Sequence, residues 1–105
     1  MREVKYIVPE QVKDIHVPQK IIDTLLERCK TLSLRDYVVF LGNIDGYLCF
    51  AWEWSEENFY KVSRYARSPV VSIVDSNGVI EDLSVMPSIK IMKKAVAKGI
   101  KEVIF

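Results

Sequence analysis

DYVVFLGNIDGYLCFAWEW, residues 36–54, is the stretch whose reading decides the fold. Two runs rich in β-branched and aromatic residues meet at Asp45-Gly46, a dipeptide that accepts the positive φ angles of a tight hairpin. In the second run Leu48, Phe50, Trp52 and Trp54 share one face, while Tyr47, Cys49, Ala51 and Glu53 share the other. Both faces carry apolar groups, as a strand covered on two sides requires. The hairpin is therefore expected at the middle of a sheet that the rest of the chain covers.

Upstream, Glu3 to Val8 alternates as a half-covered strand closed by Pro9, and Glu10 to Val17 reads as a connector with room for one helical turn. Pro18 suits the first position of a helix, where a missing N–H costs nothing. Ile21, Ile22, Leu25, Leu26, Cys29 and Leu32 then recur at helical spacing, with charged residues on the remaining arc. Downstream, Ser55 is placed to cap a helix whose first turn holds Glu56 and Glu57. Its expected inner stripe is Phe59, Val62, Ser63 and Ala66, and Ser68-Pro69 ends it.

Val70 to Val74 should pair with Val79 to Leu83 across Asp75-Ser76-Asn77-Gly78. Met86-Pro87-Ser88 opens a last helix carrying Ile89, Met92, Ala95 and Val96, stopped by Gly99 and followed by a strand from Ile100 to Phe105. The expected order is β-α-β-β-α-β-β-α-β in one α/β (α+β) domain over residues 1–105. It has two or three layers and a mixed, mainly antiparallel sheet. From Pro18 to Lys98 the order helix, hairpin, helix, hairpin, helix is similar to that of roadblock/profilin-like domains, which usually have a further strand before the last helix. That similarity implies a dimeric interaction module.

With 105 residues, of which 50% are hydrophobic and 28% charged, the chain is long enough for one core and too apolar for disorder. High apolar content in so small a domain favours a homodimer or a partner-docking face. Fifteen basic and fourteen acidic residues leave a net charge of +1, and such balance supplies no long-range field to gather nucleic acid or an anionic membrane. The charged start of the chain and the lack of an apolar run of about 18 residues point to a cytoplasmic protein without a membrane partner. Abundant Lys, Glu, Ile and Val with few Asn and Gln lean towards a thermophilic source.

Few residues advertise chemistry. Cys29 and Cys49 lie in apolar patterns and are expected as buried reduced thiols; no Cys/His cluster suggests zinc, so neither metal nor cofactor is expected. His16 is the lone histidine and stands in a connector without a neighbouring motif. Asp45, Asp75, Glu81 and Asp82 lie near turns or strand ends, where turn chemistry explains them better than metal binding. The glycines form no phosphate-cradling loop. Lys90, Lys93, Lys94, Lys98 and Lys101 make a basic face that a solvated helix explains.

The distinctive group is Trp52, Trp54, Tyr60, Arg64, Tyr65 and Arg67, with no catalytic residue among them. Aromatic rings beside arginines suit a protein interface, where Trp, Tyr and Arg are over-represented. They also suit stacked bases with phosphates, or they are simply core. The primary expectation is a non-enzymatic interaction or regulatory module, with a nucleotide- or nucleic-acid-binding domain as the alternative.

Overall fold

Asp45 and Gly46 take φ angles of 55° and 87°, the two successive positive values of a hairpin turn whose twist matches its strands. Around that turn a computed structural model, which describes residues 3–63 and 68–100, builds the following elements. In chain order they are β1 (Lys5–Ile7), α1 (Gln19–Leu32), β2 (Tyr37–Ile44), β3 (Tyr47–Glu53), α2 (Glu56–Lys61), β4 (Val70–Val74), β5 (Ile80–Asp82) and α3 (Val85–Ala97). The sheet has the spatial order β1-β2-β3-β4-β5. β1 runs parallel to β2 and every other pair is antiparallel, giving the mixed sheet of an α+β domain.

β3 is central, and its two faces are both buried. Phe50 and Trp52 face the side on which Val38 and Phe40 pair with them, and Phe40 and Phe50 stack with ring centroids 5.1 Å apart. α1 covers this side. Its Arg28 reaches Asp82 at 2.5 Å, and the same carboxylate accepts the hydroxyl of buried Ser72 at 2.6 Å. Cys49, Ala51 and Val71 lie on the other face, which α3 covers with Ile91, Met92 and Ala95. The result is three layers, helix on sheet on helix.

Two devices fix the β1–α1 connector, which includes a 3-10 turn over Glu10–Val12. The Gln11 side-chain amide donates to the Gly99 carbonyl at 2.7 Å. Val12 packs into the bulge where the β2–β3 register slips between Phe40 and Gly42. Gly42 has φ +88°, and a Cβ there would stand 2.6 Å from Val12 Cγ1, so only glycine fits without a shift.

Several expectations need correction. α2 stops at Lys61, because Val62 is extended at ψ 140°. None of its six residues is fully buried, so packing does not extend it; Val62 and Ser63 fall outside the helix, and Ala66 lies outside the described residues. Ser55 does cap it, accepting the Asn58 N–H at 3.2 Å. On α3 the buried stripe is Ser88, Ile91, Met92 and Ala95 instead of one through Ile89 and Val96. The helix is rotated because Ser88 turns inward to accept the Val71 N–H at 3.1 Å.

Leu32 ends α1 and is exposed. Gly99, at φ +95°, stops α3 as anticipated and turns Ile100 into the core. The strand expected beyond Ile100 lies outside the described residues. Two strands are described between α2 and α3, without the further one usual in roadblock/profilin-like domains.

Candidate functional site

Trp54, Phe59 and Tyr60 gather at the end of the sheet where β2 begins and β3 ends. Arg35 and Asp36 lead into β2, and Asp36 organises the corner that follows β3. Its carboxylate accepts the Ser55 backbone N–H at 2.8 Å and the Asn58 side-chain amide at 3.1 and 3.2 Å. The corner thus holds Trp54 against α2. Trp54 packs on Phe59 with centroids 6.2 Å apart, and Phe59 meets Tyr60 edge-on at 5.3 Å.

Arg35 lies over the Trp54 ring, its guanidinium carbon 4.3 Å from the centroid, in cation–π geometry. Its Nη2 donates to the Ser68 carbonyl, tying the start of β2 to the approach of β4. Burial pushes the Arg35 guanidinium below its ordinary pKa, and neighbouring Cys29 and Glu53 oppose that shift. Glu53, at the end of β3, is itself buried. A cation, a buried carboxylate and two indoles therefore share one desolvated end of the sheet.

The six residues singled out in the sequence separate here. Trp52 and Trp54 are 5% and 6% exposed, so neither ring presents an open face to a base. Both indole N–H groups are buried without a hydrogen-bond acceptor among the described residues. Tyr60 is 69% exposed. Arg64, Tyr65 and Arg67 lie outside the described residues. The arginine that does stack on tryptophan is Arg35, which sequence reasoning missed; its only local signal was its place immediately before the first residue of the decisive stretch.

The same end carries the most exposed apolar side chains. α1 finishes there with Leu32, 70% exposed, and Leu34 at 75% follows it into β2. α3 starts there after β5, with Val85 exposed and Met86 at 64%. The α1-to-β2, β3-to-β4 and β5-to-α3 connections all sit at this end of the sheet.

Three of the four carboxylates considered for metal, Asp45, Asp75 and Asp82, are occupied with structure. Asp75 Oδ1 accepts the N–H groups of Asn77 and Val79 at 2.8 and 3.0 Å, shaping its own turn. Asp45 pairs with Lys94 at 2.5 Å, and Asp82 with Arg28 and Ser72. Lys98 donates to the Asn43 carbonyl at 3.3 Å, so part of the basic face of α3 fastens that helix to the β2–β3 hairpin. Cys29 and Cys49 are buried and share no disulfide, and burial pushes the Cys49 thiol up to about 11. Among the described residues no helix is long and apolar enough to cross a membrane. No family model, curated protein or solved structure matches this chain.

Proposed function

We propose that this chain is a non-enzymatic interaction module that self-associates through the aromatic end of its sheet. The observation that carries the reading is that Leu32, Leu34, Tyr60 and Met86, each more than 60% exposed, belong to connections and helix ends at the end of the sheet that holds the covered Trp54–Arg35 stack. A rigid aromatic centre with large apolar side chains about it is the anatomy of an interface core. α2 adds Glu56, Glu57 and Lys61 beside Tyr60, giving both signs of charge for a polar rim. A net charge of +1 lets two copies approach without long-range repulsion, which favours a second copy of the chain as occupant.

Light scattering coupled to size exclusion tests this. The wild type should run as a dimer, and Leu34→Asp or Met86→Asp should give monomers with unchanged circular dichroism. A wild type that stays monomeric at about 1 mM, where even a weak dimer assembles, would sink the reading. Base stacking draws no support from tryptophans whose rings are covered.

A further inference from the structure

Cys29, Cys49, Met86 and Met92 are the sulfur-bearing side chains among the described residues, and the fold shields them very unequally. Both cysteines are fully buried. Burial also pushes the Cys49 thiol up to about 11, so at ordinary pH it keeps its proton and offers no thiolate. Met92 is 1% exposed and belongs to the core with Ile91 and Ala95. Met86, on the same helix, is 64% exposed. At about 100° per residue it lies about 160° round α3 from Ser88, whose hydroxyl meets the Val71 N–H of the sheet. Its thioether is therefore the one sulfur among them that stands open to solvent.

Exposure decides which sulfur an oxidant reaches first, because a peroxide must touch the sulfur to react. The sulfur lone pair forms an S–O bond and the peroxide O–O bond breaks. The departing hydroxide takes the proton of the transferred oxygen and leaves as water, so sulfur loses the two electrons that the peroxide gains. Met92 and the thiols become reachable only when the core opens. The product matters because a sulfoxide replaces an apolar, adaptable side chain with a polar acceptor. On the isolated chain that acceptor is hydrated and leaves the fold intact. Covered by an apolar partner surface that brings no donor, it becomes a buried polar group without a bond.

We infer that Met86 is a site of reversible oxidation that sets the strength of self-association: the thioether permits pairing and the sulfoxide opposes it. The switch rests on self-association through the end of the sheet where α3 begins. Pairing covers Met86, so peroxide captures it in the dissociated chain and holds that chain apart. A sulfoxide reductase carrying a pair of thiols reverses the step, the oxygen leaving as water while the two thiols close to a disulfide. The chain's own cysteines, both buried, take no part.

Hydrogen peroxide treatment of the full chain tests the assignment, read by peptide-mapping mass spectrometry and by sedimentation equilibrium before and after. Met86 should convert at least about tenfold faster than Met92, with both thiols still titratable. Raising the protein concentration through the dissociation constant should slow oxidation of Met86 and leave Met92 unchanged. Oxidation should raise the dissociation constant about tenfold or more, with unchanged circular dichroism. Met86→Leu, compared treated against untreated, should lose that response. Equal rates at Met86 and Met92, a Met86 rate indifferent to concentration, or a dissociation constant unmoved by Met86 oxidation would each overturn the assignment while self-association stands. Failure of self-association itself is seen separately, as a monomer before any peroxide is added, and overturns the switch with it.

Discussion

Gly42→Ala isolates the cost of a close backbone approach. The added methyl meets Val12 Cγ1 at 2.6 Å, Val12 Cβ at 3.6 Å and Ile15 Cδ1 at 3.7 Å, in a backbone at φ +88°. The left-handed conformation alone costs an alanine about 1–2 kcal/mol. Val12 cannot swing aside cheaply, because a β-branched side chain is stiff at χ1, and forcing an extra carbon into packed surroundings adds about 1–3 kcal/mol. The expected loss is about 2–5 kcal/mol, a fall in Tm of about 10–20 °C for a domain of this size.

Gly78→Ala is the control. Gly78 has φ +79° with nothing within 4 Å of its notional Cβ, so it carries the conformational cost without the clash. Urea and thermal unfolding of both variants, together with Val12→Ala and the Val12→Ala/Gly42→Ala double variant, separate the two contributions. The double variant should recover about 1–2 kcal/mol relative to additivity. If Gly42→Ala and Gly78→Ala cost the same within about 0.5 kcal/mol, the connector does not press on the bulge and the reasoning fails.

Ser88→Ala should destabilise by about 1–3 kcal/mol and speed amide exchange at Val71, because it strips a buried backbone N–H of its acceptor; equal stability would show that bond to be idle. Trp52→Phe should stay within about 1 kcal/mol of wild type, since the small void it leaves offsets the removal of a buried donor that lacks an acceptor. A loss above about 3 kcal/mol would mean that this indole is bonded in solution. Cys49 should make the fold alkali-sensitive. Its thiol is raised from 9.0 to about 11, so above pH 9 only the unfolded chain releases that proton. The associated stability is full below the unfolded value and falls as pH climbs towards the folded one, by up to about 1.4 kcal/mol per pH unit. Urea midpoints across that interval should drop less steeply in Cys49→Ala, and identical slopes would contradict the assignment.

Both hairpins were readable because their information is local. Asp45-Gly46 and Asn77-Gly78 specify backbone angles by themselves, and alternation sets the faces on either side. α1 was equally readable from its apolar stripe, apart from Leu32 at its last position, which is exposed. The length of α2 and the rotation of α3 were not, since each depends on what the rest of the fold offers the helix to pack against. α2 has no buried face to prolong it, and α3 turns because Ser88 answers an N–H on β4, seventeen residues earlier.

The candidate site was legible only in composition. With apolar residues on both sides of β3, sequence could not distinguish a tryptophan beneath a helix from one in the open. Nor could it select Arg35 as the partner of a ring nineteen positions away.

The strands lie side by side in the order in which they are synthesised, and this bears on how the chain acquires its shape. From β2 onward each strand adds to its immediate predecessor, so those loops close cheaply and early. β1 alone must wait, since its neighbour arrives only after the whole of α1. Folding should therefore begin with the antiparallel meander and finish when the amino-terminal strand zips onto a nearly complete edge. Pulse-labelled hydrogen exchange would show amides of β2 to β4 protected before those of β1, and simultaneous protection would speak for a single concerted collapse instead.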